Sequence, residues 1–282
     1  MAGRQDRGAV VVTGASSGIG AATASMLAEA GFLVFAGVRN QPDAERAESL
    51  GANVRAVLLD VTDSRSIEIA KRAVSQTGVP LAGIVNNAGI AVAGPLEFLA
   101  LDELRKQFEV NVIGALAITQ AFLPLLRANR ARIVFMGSVS GRIAVPFIAP
   151  YSASKFALRA IADALRIELA AAGIYVSLIE PGSVKTPIWR KGREAQSTMQ
   201  QRLGADGLAY YGSALEAVIR QTEREEQAGM PAERVARVVL EALTAQRPRA
   251  HYVVGAPARL GIILGWLPAA IHDRIMRASM RL

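Results

Sequence analysis

The chain of 282 residues contains no cysteine, which excludes disulfides, thiol nucleophiles and cysteine-ligated metals. It has only two histidines, His251 and His272, too few and too isolated for a metal site, so no metal is expected. No uninterrupted apolar run reaches the ~18 residues of a membrane-spanning helix. Residues 1–8 are polar and carry no apolar core of signal-peptide length. The expectation is a cytoplasmic protein, soluble or peripheral to a membrane. Linkers, low-complexity tracts and internal repeats are also absent, which argues for one domain. With 51% of residues hydrophobic and 20% charged, that domain can bury a sizeable core.

Charge is present in excess of one sign. The net charge is +8, and from Met230 onward eight arginines face only three carboxylates. These arginines form no recognised nucleic-acid motif and have no interleaved aromatics, so nucleic-acid binding is not expected. Solvated helix faces, or attraction to anionic lipid or a phosphorylated cofactor, account for them better.

Short β-branched runs alternate with longer helical patterns. Residues 9–13, 33–38, 54–59, 83–86, 132–136, 175–179 and 250–254 read as strands. Such alternation predicts an α/β fold, a Rossmann-type doubly wound parallel sheet of about seven strands with helices on both faces. The first run, Val10-Val-Val12, is apolar throughout, as a strand covered on both sides must be. Residues 1–255 form the expected domain. Residues 187–229 are long and glycine-punctuated, the pattern of a lid with some helix of its own. Residues 256–282 add an extension, apolar from Leu260 to Leu267 and then basic.

The segment Thr13-Gly-Ala-Ser-Ser-Gly-Ile-Gly20 ends the first strand and opens a helix. Gly14 permits a tight turn, Gly18 lets backbone approach a pyrophosphate, and Gly20 lets helix and strand pack closely. Amides at the helix start then face the anion, making Gly14, Ser16, Ser17, Gly18, Ile19 and Gly20 candidate contacts. An acidic residue ending the second strand would bind the ribose of NAD, but here Arg39 stands there and no carboxylate precedes Asp43. A guanidinium suits a 2′-phosphate, so NADP is the expected cofactor. The plain alternative is a solvated arginine.

Tyr151 and Lys155 lie four apart at the start of a helical pattern, hence on one face. A free phenol titrates near ~10. A neighbouring ammonium is expected to lower it toward the working range. Taken singly, such a pair is an ordinary helix face. Ser138, Asn86-Asn-Ala-Gly89 and Pro181-Gly-Ser-Val-Lys-Thr186 follow other strands, and Asn111 lies in the helical segment 101–127. Each has a bland alternative too: Asp60 as a turn residue, Asn111 as a buried amide bonded to backbone, Ser138 as a cap. Their joint occurrence is what carries weight.

With these residues in view the sequence resembles the short-chain dehydrogenase/reductase family, in its single-domain branch, over about residues 8–255. The matching elements are Thr13, Gly14, Gly18, Ile19 and Gly20; Asp60; Asn86 to Gly89; Asn111; Ser138; Tyr151 with Lys155; and Pro181 with Gly182. The resemblance implies that Tyr151 exchanges a proton with the substrate oxygen, that Ser138 holds that oxygen, and that Lys155 binds the nicotinamide ribose. It further implies that Asn111 fixes a water leading from Lys155, and that Asp60 and Val61 contact adenine. Asn87, Ala88 and Gly89 would line the adenosine ribose, and Pro181, Gly182, Val184 and Thr186 the nicotinamide side.

Residues 90–93, 143–148 and 187–189 are apolar, apart from nearby Arg142 and Lys185, and predict a large hydrophobic alcohol or ketone as substrate. Arg39 and the extension are similar to hydroxysteroid and retinol dehydrogenases. Two other functions are considered: a 3-oxoacyl-thioester reductase, and a non-catalytic NADP sensor or scaffold. Phe156, Ala157, Ala160, Ile161, Ala164 and Leu165 form a stripe on the Lys155 helix. The resemblance implies homodimers or homotetramers built there and on segment 101–127; packing against the sheet is the alternative. The extension fits either peripheral membrane contact or a cover over the substrate entrance.

Overall fold

Ala9, Val10, Val11 and Val12 are all fully buried, and their side chains alternate between two separate apolar cores. That is the signature of a central strand covered on both faces. The computed structural model describes residues 7–188, 196–255, 262, 265 and 267–280. Trp189, Arg281 and most of the apolar run 260–267 lie outside them.

Seven parallel strands form one sheet: β1 (Ala9–Thr13), β2 (Leu33–Val38), β3 (Val54–Leu58), β4 (Leu81–Asn86), β5 (Arg132–Met136), β6 (Tyr175–Pro181) and β7 (His251–Val254). Their order is β3-β2-β1-β4-β5-β6-β7, the doubly wound arrangement expected. Two boundaries differ from the sequence reading by two residues. β4 begins at Leu81, which already pairs with Ala9, and β6 runs on to Pro181 because Glu180 and Pro181 pair with Val253 and Val254.

Helices α1 (Gly18–Glu29), α2 (Gln41–Glu48) and α3 (Ser64–Ser75) follow the first three strands. After β4 come α4 (Leu101–Phe108), a π-helical turn (Glu109–Ile113) and α5 (Gly114–Asn129). By length and composition the stretch Leu101–Asn129 could cross a membrane. Ile118, Phe122 and Leu126 are nevertheless fully buried in the core it shares with β4 and β5. Each such side chain contributes about 1.5–3 kcal/mol of burial.

The next helix, α6 (Ala149–Glu168), takes Pro150 at its start, where the missing N–H costs nothing. Next comes α7 (Gln196–Ala228), broken at Gly204, whose φ of 59° and ψ of −169° no helix accepts. Leu203, Ala214 and Leu215 build a small third core with Phe147. Tyr211 there meets Phe98 and Phe147 edge-on at 6.0 and 6.2 Å. Two helices complete the described chain, α8 (Ala232–Thr244) against α1 and α9 (Ala269–Met280) against α7.

Candidate active site

β1 and β4 are neighbours whose chains proceed to opposite sides of the sheet, which opens a crevice at their carboxyl ends. The glycine turn sits in it. Gly14 and Gly18 take φ values of 65° and 55°, in the left-handed region that favours glycine. A Cβ on Gly20 would stand 2.2 Å from the Gly14 carbonyl oxygen, and one on Gly14 would stand 2.8 Å from Ala88 Cα. Thr13 and Asn87 hold the turn from the two strand ends. Thr13 Oγ1 accepts from the amides of Asn87 and Ala88 at 3.0 and 2.9 Å. Asn87 Nδ2 donates back to the carbonyls of Thr13 and Gly14 at 3.0 and 3.1 Å. The sequence reading placed Asn87 at a ribose; its amide group is engaged in bracing the glycine turn.

A cavity of about 820 Å³ runs from this turn across the sheet. Every candidate cofactor contact lines it, from Gly14 through Arg39, Asp60 and Val61 to Val184 and Thr186, and so does Ser138. Arg39 is exposed at the end of β2. Burial pushes the Asp60 carboxyl up, but bonds from the Thr62 amide and hydroxyl and the charge of Arg39 outweigh it and hold Asp60 below the usual carboxylate range. The glycine cradle, the helix start and an exposed guanidinium fit a dinucleotide carrying an extra phosphate.

Ser138 follows β5 and caps a short 3₁₀ turn (Val139–Gly141), its Oγ accepting from the Ser140 amide at 3.1 Å. Tyr151 and Lys155 are both buried on the first turns of α6. Gly141 packs directly on that helix, since a Cβ there would lie 2.9 Å from the Lys155 carbonyl oxygen. Tyr151 is hydrogen-bonded to Ser138. Lys155 Nζ donates to the Met136 carbonyl at 2.7 Å and lies 5.6 Å from the Tyr151 ring centre.

One expectation is corrected here. Burial raises the Tyr151 phenol above its usual value, and the Ser138 bond offsets this only in part. Burial also lowers Lys155 to about 8. Desolvation disfavours both charged forms and outweighs the pull of the neighbouring ammonium, so the phenol is not acidic in this geometry. The Tyr151 side chain is a neutral phenol at neutral pH.

Asn111 is buried but does not line the cavity. It sits in the π-helical turn, its Oδ1 accepting from the Ile90 amide at 2.9 Å. Its Nδ2 donates to the Ile90 carbonyl and to Ser154 Oγ, both at 3.1 Å. Gln107, one turn earlier, does the same for the neighbouring backbone, accepting from Val92 N at 2.7 Å and donating to Ile90 O at 2.9 Å. Gln107 was missed, although its spacing of four from Asn111 places it on the same helix face. Ser138 is thus a cap, Asp60 a turn residue and Asn111 a backbone-bonded amide.

A family model described as short chain dehydrogenase matches residues 8–197. The chain belongs to this family. Among its relatives is an NADPH-dependent 3-dehydrocapnine reductase from Ornithobacterium rhinotracheale, 37% identical over 89% of this chain and 88% of that protein. Another is retinol dehydrogenase 5 of Mus musculus, 35% identical over 95% of this chain and 87% of that protein. The crystal structure of a short chain dehydrogenase from Burkholderia cenocepacia in complex with NADP has a TM-score of 0.73 and 26% identity. That match covers 95% of this chain and 97% of the other.

In this short-chain dehydrogenase much of the remaining lining of the cavity is apolar, with Glu103, Lys106, Gln221 and Thr222 among it. Residues 90–93, Ile143, Val145, Pro146, Ile148 and Ile188 line it. Helix α7 adds Ala217, Val218, Gln221 and Thr222, and α9, in the extension, adds Met276. Arg142, expected near the nicotinamide, does not line the cavity; it is bound to Glu180. On α6 the stripe containing Phe156, Ala160 and Ala164 faces outward, while Leu158 and Ala162 supply the buried side.

Proposed function

We propose that the chain is an NADP(H)-dependent oxidoreductase interconverting a hydrophobic alcohol with its ketone or aldehyde, with Tyr151 as general acid or base. The observation that carries this reading is one cavity shared by the glycine turn, Arg39, Ser138, Tyr151 and Lys155. When bound, the nicotinamide supplies or accepts the hydride. The glycine turn and the start of α1 would hold its pyrophosphate, Arg39 its 2′-phosphate, and Lys155 its ribose. Ser138 fixes the substrate oxygen, and the neutral Tyr151 phenol donates a proton to it as negative charge develops there. Asn111 and Gln107 hold the segment from Ile90 to Val92 that lines the substrate end, and Asn111 is suited to fix a water near Lys155. The relative named for retinol fits a hydrophobic substrate.

The test is an NADPH-oxidation screen over ketones and aldehydes graded in size and polarity, with an acetoacetyl thioester alongside. Turnover rising with apolar bulk supports the reading. Preference for the thioester moves it to an acyl-thioester reductase, and no turnover of any carbonyl leaves only a nucleotide binder. Arg39→Asp is expected to lower the NADPH/NADH preference by about 10- to 100-fold, the worth of charged hydrogen bonds to phosphate. An unchanged ratio removes Arg39 from phosphate recognition.

Helix α9 caps the substrate end through Met276 and turns Ile271 and Ile275 outward beside Arg274 and Arg277. An apolar pair flanked by arginines suits peripheral contact with an anionic membrane. Sedimentation with anionic vesicles, lost in Ile271→Asp, checks it. The outward stripe of α6, with the exposed Ile113 before α5, suits self-association, which the mass in solution reads directly.

A further inference from the structure

Glu180, near the end of β6, is fully buried. A buried charge persists only when paired and hydrogen-bonded. Arg142 supplies the pair through a two-pronged contact, Nε to Oε1 and Nη2 to Oε2, each 2.6 Å. His251 on β7 lies between two carboxylates, Nδ1 3.2 Å from Glu180 Oε2 and Nε2 2.9 Å from Asp163 Oδ1 on α6. Arg142 Nη2 is 3.3 Å from the same Nδ1. Behind Asp163 stand Arg159 at 3.9 Å and Arg166 at 3.5 Å. Only the imidazolium can donate to both carboxylates at once; a neutral ring leaves one of them facing a lone pair. The hydrogen bond to Glu180, and then the two carboxylate charges, raise His251 above its usual value despite the opposing effect of burial.

None of Arg142, Glu180, His251 or Asp163 lines the cavity. Each is tied to something that does. Arg142 continues the turn of Ser138, which rests on α6 at Gly141. Glu180 immediately precedes Pro181 and Gly182, which line the cavity. Asp163 lies about two turns beyond Lys155 on the helix that also carries Tyr151.

We propose that Arg142, Glu180 and His251 form a positioning cluster behind the site, fixing Ser138 and the turn at Pro181 against Tyr151, and that losing the His251 charge loosens it. The proposal rests on the roles of Ser138 and Tyr151 given above. Misplacement of about 1 Å from outside the reacting centre can cost about 10²-fold in rate. The groups facing His251 are Glu180 from β6, Arg142 from the loop after β5 and Asp163 from α6. Since His251 is charged below its raised value, the cluster is intact at lower pH and weakens as pH rises.

The test uses the full chain with NADPH and the best ketone of the screen, measuring kcat, KM and NADPH affinity across pH. The double variant R142M/E180L leaves neither charge buried alone and is expected to fold. Its NADPH affinity should stay within about threefold while kcat falls about 10-fold or more. Arg142→Lys should retain more kcat than Arg142→Met. His251→Gln, at a partly exposed position, should lose the inflection in kcat that the imidazolium contributes while keeping the fall near the Lys155 value of about 8. A folded double variant with wild-type kcat, or a His251→Gln profile identical to wild type, overturns the proposal. A wild-type enzyme that reduces no carbonyl overturns the underlying reading and the proposal together, whereas an active wild type with indifferent variants overturns the cluster alone.

Discussion

Tyr151→Phe is expected to bind NADPH within about threefold of wild type and to turn over at least about 10³-fold more slowly. The substitution removes one oxygen and keeps the ring, so the packing of α6 against the Ser138 turn survives. What it removes is the hydroxyl hydrogen-bonded to Ser138, the proposed proton donor. General acid catalysis by a positioned side chain contributes about 10²–10⁴-fold. Loss of charge stabilisation at the same oxygen adds to it. Steady-state rates and fluorescence titration with NADPH read the two quantities separately. A variant that keeps turnover within about tenfold would mean that the proton comes from elsewhere.

Lys155→Met is expected to lower turnover by about 10²- to 10³-fold and to remove a break in the pH profile. The sign follows from burial. Desolvation brings the Lys155 ammonium down to about 8, so it is charged below that pH and neutral above. Below it, the positive charge near the Tyr151 ring stabilises the phenolate left when the proton departs. Above it, that stabilisation is lost, and kcat/KM for carbonyl reduction should fall about tenfold per pH unit. Tyr151 itself is shifted upward by burial and stays protonated through this range, so the fall is not its own titration. In Lys155→Met the rate should be low and flat across the same interval. A break near pH 8 that survives the substitution would assign the titration to another group.

Much of this architecture was readable from local rules. Strands buried on both faces leave unbroken apolar runs such as Val10–Val11–Val12, and glycines at positive φ or in close contact announce a tight turn. Spacing alone put Tyr151 and Lys155 on one helix face. What escaped were properties that depend on tertiary surroundings. The direction of the Tyr151 shift was misread because proximity of opposite charge is visible in a sequence and burial is not. Arg142 was read as a charge beside the apolar segments and His251 only as too isolated to bind a metal, because the buried carboxylate between them comes from a distant strand. The π-helical turn around Asn111 has no periodic signature of its own. The helix within residues 187–229 was expected from their length, but its break at Gly204 and the contacts of Tyr211 with Phe98 and Phe147 depend on segments far apart in the chain.

The coupling of proton and hydride at one carbonyl is tested most directly by isotope effects on a single turnover. NADPH deuterated at the nicotinamide C4, and D₂O as solvent, should each slow the same step in the wild-type enzyme. In Tyr151→Phe the residual reaction should lose the solvent effect along with the rate. A Tyr151→Phe enzyme that retained both its speed and its full sensitivity to D₂O would contradict the account.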